Sequence, residues 1–117
     1  MKYFTLFSLF LLLGFIPARK ADILPTKLEI TVRDELGNVV EGASVQLFKT
    51  QEDYDKSQNP ITEVKKTDAK GRVVFTDLEA KEYYVQAEKG DLDNGGAGIK
   101  TIPLVAKRTN KVTIIIS

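Results

Sequence analysis

From Lys27 to its last residue the chain is written with a period of two, in short apolar-polar runs separated by turn chemistry. Alternation puts every second side chain on one face of an extended strand, so these runs fit sheets with one buried face and do not fit helices. In KLEITVR (27–33), Leu28, Ile30 and Val32 alternate with Glu29, Thr31 and Arg33, and Asp34, Gly37 and Asn38 supply the turn that follows. ASVQLFK (43–49) places Ala43, Val45 and Leu47 on one face. Residues 50–60 are polar, aperiodic and end at Pro60, which predicts a loop. ITEVKKT (61–67) reads as an edge strand whose lysines discourage pairing with another chain. After a turn at 68–71 come RVVFTDL (72–78), with Val73 and Phe75 inward, and YYVQAEK (83–89), with Tyr83, Val85 and Ala87 inward. A glycine-rich loop (90–98) then leads to strands at 99–106 and 111–117, joined by a turn at 107–110. The last strand is apolar on both faces, Ile115 lying opposite Ile114 and Ile116. A central position, covered by its neighbours, is expected for it; the alternative is a strand that docks onto another chain. Short strands at this spacing predict an all-β sandwich of seven strands.

The residues ahead of this pattern belong to a different kind of segment. Lys2 precedes an apolar run over 4–16 (FTLFSLFLLLGFI), followed by Pro17, Ala18, Arg19 and Lys20. The run is shorter than the ~20 residues a spanning helix needs, so residues 1–18 are expected to be a secretory signal peptide cleaved near Ala18, with Ala21 as second choice. The competing reading is an uncleaved anchor stopped by Arg19 and Lys20. Residues 19–26 then form a short linker and 27–117 the domain, with no membrane span after cleavage and a secreted or periplasmic location. The chain holds no Cys, His or Trp. Disulfides, thiol nucleophiles, Cys/His metal sites, His-based triads and a lipidated cysteine are therefore excluded, and an exported domain must be held by packing alone. Lys and Arg total 17 against 16 Asp and Glu. Cleavage after Ala18 removes only Lys2 and balances the two signs, which gives no reason to expect nucleic acid as a partner.

VRDELGNVVEGASVQLF (32–48), with TDAKGRVVFTDLEAKEYYVQA (67–87), resembles the carboxypeptidase regulatory-like domain, within the transthyretin-like and Cna-B-like group. The residues that carry the resemblance are Val32, Asp34, Gly37, Gly42, Ala43, Val45, Leu47, Thr67, Asp68, Gly71, Val73, Phe75, Tyr83 and Val85. Val73 stands where an aromatic is more usual, and Lys81 with Glu82 where a Pro-Gly pair often precedes the tyrosine. The resemblance implies a Greek-key, prealbumin/Ig-like sandwich and a non-catalytic accessory role, acting in trans on another exported or cell-envelope protein. In many Cna-B-like domains a Lys-Asn isopeptide bond, assisted by a buried acid, crosses the core. The corresponding positions hold Val32 and Ala87, with Val112, Ile114 and Ile116 in the last strand, so the resemblance implies no cross-link here. The glycines and Asp68 have structural uses at turns, and Tyr83 is expected half in the core with its hydroxyl pinning a neighbouring loop.

Few residues suggest binding chemistry. Asp91, Asp93 and Asn94 begin like a calcium loop, but Gly95 and Ile102 stand where an EF-hand needs oxygen ligands, so they are weak metal candidates. Tyr54 in the long loop and Tyr84 on the outward face of its strand are candidate contacts for a glycan or peptide, using loops 50–60 and 90–98. The acid pairs Asp91 with Asp93 and Glu79 with Glu82 sit in polar turns that offer no apolar setting for a general acid, so no catalytic residue and no cofactor are expected.

Overall fold

The computed structural model describes residues 24–95 and 98–117, and the expected signal peptide lies outside them. Seven strands and one short helix are found among the described residues: β1 (Lys27–Arg33), β2 (Ser44–Phe48), α1 (Gln51–Asp55), β3 (Lys65–Lys66), β4 (Arg72–Phe75), β5 (Tyr84–Lys89), β6 (Leu92–Asp93) and β7 (Thr109–Ile115). They form two sheets, ordered β4-β1-β7 and β3-β2-β5-β6. β1 lies between β4, antiparallel, and β7, parallel, with Ile30 beside Val73 and Val112 and with Val32 beside Ile114. β2 pairs antiparallel with β5, setting Val45 beside Ala87 and Leu47 beside Val85. The inward residues of both sheets are those that the alternation marks: Leu28, Ile30, Val32, Ala43, Val45, Leu47, Val73, Phe75, Val85 and Ala87 are all buried in one apolar cluster with Tyr83, Leu104, Ile114 and Ile116. No helix among the described residues is long and apolar enough to cross a membrane.

The turns follow local rules. Asp34 Oδ1 accepts from the N–H groups of Leu36 and Asn38, and Asp68 Oδ1 accepts from those of Lys70 and Arg72. Gly71 has φ +74°, and a Cβ there would sit 2.9 Å from the Val32 carbonyl oxygen and from Val39 Cβ, so only glycine fits where this turn meets β1. The two backbone bonds, from Arg72 first and Lys70 second, hold the Asp68 carboxyl below its ordinary value of 3.8. A depressed folded-state pKa contributes stability above the unfolded value that is lost as pH falls through the folded one. Acid melts are therefore expected to show a loss of stability below about pH 4. Asp68→Asn, which keeps the acceptor but cannot titrate, is expected to flatten that loss, and an unchanged acid limb would remove Asp68 as its source.

Six expectations are corrected by tertiary context. The segment 61–67 keeps its edge position but contributes only Lys65–Lys66 as strand, because Thr62 Oγ1 accepts from Leu47 N–H and Ile61 N–H donates to the Leu47 carbonyl, completing β2 without a ladder. The polar loop 50–60 contains α1, started by Thr50, whose side chain accepts from Asp53 N–H. The loop 90–98 contains β6. Residues 99–106 form no strand beyond a single bridge between Tyr84 and Lys100, and the last strand begins at Thr109 rather than Lys111. Finally, β7 is an edge strand rather than a central one, with Ile115 46% exposed. The inward half of its apolar pattern is Ile114 and Ile116, both buried, with Val112 partly buried against the same cluster. Its end crosses to the other sheet, where Ser117 and Asp93 exchange two backbone hydrogen bonds of 3.0 and 3.2 Å.

Tyr83 is wholly buried rather than half-buried. Its hydroxyl donates to the Glu79 carbonyl and accepts from the Glu79 N–H, each at 2.9 Å, which pins the loop ahead of β5. Tyr83→Phe keeps the ring and leaves both backbone groups without that partner, so denaturant unfolding is expected to show a loss of about 1–2 kcal/mol.

Candidate functional site

The two loops that the sequence marks for ligand contact meet on the outer face of the four-stranded sheet. α1 lies over β2 and β5, and Gln86 Nε2 of β5 donates to Ser57 Oγ just beyond the helix at 3.1 Å. Between this corner and β6 is a shallow cleft of about 350 Å³, lined by Tyr54, Asp55, Ser57, Gln86, Glu88, Asp93, Asn94 and Gly95. Tyr54 and the pair Asp93 and Asn94, far apart in sequence, therefore share one site. Tyr84 and Asp91 do not line it. Tyr84 is half-buried on β5, and Lys100 Nζ stands 5.9 Å from its ring centroid.

The anchor of the cleft is a residue that alternation does not mark. Phe48 ends β2 on the face away from the core, yet it is only 1% exposed because Tyr54 packs edge-on against it, ring centroids 6.1 Å apart. A five-residue helix is not stable alone; the Phe48–Tyr54 contact supplies the tertiary support. Burial of Tyr54 raises its hydroxyl pKa above the ordinary 10.0, and the carboxylates of Asp93, Asp55 and Glu88 raise it further. The cleft is therefore a field of negative charge around a neutral phenol, suited to hydrogen bonding and to cationic or hydroxylated groups.

Asn94 holds the other wall. It is 2% exposed, its Oδ1 accepts from Ala87 N–H at 3.0 Å, and its Nδ2 donates to the Val85 carbonyl at 2.8 Å. The side-chain amide thus stands in for a peptide group in the ladder beside β5. The edge continues with Val85 N–H donating to the Ile99 carbonyl and with Tyr83 held by Thr101, whose N–H donates to the Tyr83 carbonyl and whose Oγ1 accepts from Tyr83 N–H. This is why 99–106 needs no ladder of its own. Asp93 Oδ1 accepts from Gly95 N–H at 2.8 Å, closing a local turn. The proposed calcium ligands are thus engaged elsewhere at Asn94 and Asp93, and among the described residues no group of three or more acidic side chains is placed to hold a metal ion. Two further clefts lie beside Lys66 and Lys89 and beside Lys49, Leu78 and Lys81. Of the candidate acid pairs, Glu79 and Glu82 point to different partners, Lys81 at 3.1 Å and Lys100 at 3.2 Å.

The positions at which the resemblance would place a cross-link come together in the core. Val32 and Ile114 are neighbours across β1 and β7, and Ala87 belongs to the same buried cluster. All three are aliphatic, so no amine, amide or proton-transferring acid meets there. Intact mass of the folded protein is expected to equal that of the unmodified chain; a loss of ammonia would overturn this.

The chain matches no known family profile, and no curated protein is detectably similar to it in sequence. Solved structures do share its fold. A Streptococcal ancillary pilin superposes with a TM-score of 0.60 at 18% identity, over 81% of this chain and 33% of the pilin. Two forms of BcpA, the major pilin subunit of Bacillus cereus, superpose with TM-scores of 0.57 at 17% and 18% identity, over 79% of this chain and 28% of theirs. The chain thus spans a third or less of the length of these pilins, and the likeness is one of fold.

Proposed function

We propose that the chain is an exported, non-catalytic β-sandwich module of the carboxypeptidase regulatory-like kind, with residues 1–18 as its leader and a structural or protein-interaction role at the cell envelope. The observation that carries this reading is the fold shared with an ancillary and a major pilin subunit, which are structural proteins. The jobs of the motif residues agree with it: Gly71 meets β1, Asp68 closes its turn, and Tyr83 is spent on backbone, so the motif builds a scaffold rather than a reactive centre. The surface acids support it too, since Glu79, Glu82 and Asp93 are occupied by lysines or by a backbone N–H and lie in solvent. A tagged copy crosslinked in its own host and purified from the envelope fraction is expected to bring down one exported protein in stoichiometric amount. Recovery of the chain alone, with crosslinking shown to be efficient, would overturn the reading.

A second reading is favoured by the meeting of loops 50–60 and 90–98 in one cleft, as a small soluble binder of glycans or peptides. Glycan and peptide arrays decide it: signal lost on Tyr54→Ala supports it, and arrays without signal exclude it.

A further inference from the structure

One end of the sandwich holds apolar side chains out into water on a loop that is firmly tied. Thr101 is bonded to Tyr83 through both its backbone and its hydroxyl, Leu104 N–H donates to the Lys81 carbonyl at 3.2 Å, and the Leu104 side chain is buried. Val105 is clamped by Asn110, whose Oδ1 accepts from its N–H and whose Nδ2 donates to its carbonyl. Lys107 N–H donates to Thr26 Oγ1 at 2.9 Å, and Lys107 keeps a φ of 64° that side-chain-bearing residues rarely adopt. Between these anchors Ile102 is 77% and Val105 51% exposed, and Leu24, two residues before Thr26, is 57% exposed. A loop so well anchored does not bury these side chains by relaxing.

The cations beside them are unpaired. Lys107 and Arg108 are exposed and in no ion pair among the described residues; Asp77, whose neighbour Leu78 donates to the Thr26 carbonyl, is one exposed acid on this side, while Glu79 and Glu82 are matched by Lys81 and Lys100. Separate apolar tips beside unpaired cations suit a soft, negatively charged interface better than a rigid pocket, because lipid headgroups and acyl chains conform to each tip.

We propose that the loop over residues 101–108 docks on an anionic lipid bilayer, with Ile102 and Val105 entering the interface and Lys107 and Arg108 meeting the headgroups. This goes beyond the structural role above and does not depend on it. The test uses the protein from Arg19 onward, which contains every residue of the core, with vesicles of phosphatidylcholine alone or mixed with phosphatidylglycerol. Cosedimentation is expected with the mixed vesicles and is expected to weaken as salt is raised. Each cation near an anionic surface strengthens binding about fivefold, so the Lys107→Glu/Arg108→Glu double variant should bind at least about tenfold more weakly. The Ile102→Asp/Val105→Asp double variant should do the same while melting with the parent. Equal binding to both vesicle types, no binding to either, variants that bind like the parent, or binding to polyglutamate in place of vesicles would each overturn the proposal.

Discussion

Replacing Asn94 with alanine is expected to remove about 3 kcal/mol of stability, because two buried backbone groups lose their only side-chain partner at once. In the native fold Asn94 Oδ1 satisfies Ala87 N–H and its Nδ2 satisfies the Val85 carbonyl, inside a site where Asn94 is 2% exposed. For a domain of this size that loss is a drop in melting temperature of roughly 12 to 24 °C. Asn94→Asp separates the two bonds. Its carboxylate still accepts from Ala87 but sets an oxygen against the Val85 carbonyl, so it is expected to be as unstable as the alanine variant at neutral pH. Burial raises the pKa of such a carboxyl, and the protonated form can donate again, so Asn94→Asp is expected to regain stability as pH falls toward about 4. Melting curves followed by circular dichroism measure both variants. A loss below about 1 kcal/mol for Asn94→Ala would show that water replaces the amide.

Phe48→Ala is expected to have an effect of similar size, about 3–4 kcal/mol, by emptying the space between β2 and α1. Its signature differs from that of a core mutation. Phe48 lies outside the main apolar cluster, on the opposite face of its sheet, and what it supports is the helix that carries Tyr54. Removing it should release α1 and let the Tyr54 hydroxyl, now raised by burial and by Asp93, Asp55 and Glu88, titrate near its ordinary 10.0. Phe48→Leu, which keeps apolar volume, should retain the fold and shift Tyr54 only part of the way. Spectrophotometric titration of the tyrosines, with Tyr54→Phe to assign the signal, reads this directly. A Tyr54 titration unmoved in Phe48→Leu and Phe48→Ala alike would mean that the helix docks without the ring.

How far the sequence could be read depended on whether a residue's role was local. The inward faces of β1, β2, β4 and β5 follow from period two, since in a half-buried strand the next residue but one must share the face. The turns at Asp34 and Asp68 follow from side chains that reach backbone two and four residues away. Tyr83 was legible as a loop pin but not as a fully buried one. At the candidate site the sequence marked loops 50–60 and 90–98 for one ligand with Tyr54 as a contact, but named Asp93 and Asn94 only as weak metal candidates. Nothing in it said that these two would line the cleft with Tyr54, or that the Asn94 amide would be spent inside a ladder.

What the sequence determined by itself is a β-sandwich core without cysteine, because alternation fixes which side chains must be buried and composition fixes what can hold them there. Only the tertiary structure decided how the edges close. Thr62, Thr67, Asn94 and Thr101 each satisfy a neighbouring strand's backbone with a side chain. The physical reason is that a buried N–H or carbonyl must find a partner but does not specify which kind. A threonine hydroxyl or an asparagine amide brought near by the fold serves as well as another strand. Such partners lie 7 to 24 residues apart here, beyond any local period. The same indifference moved β7 from the expected centre to an edge: its apolar pattern requires one covered face, and which neighbours cover it is set by the packing of the two sheets.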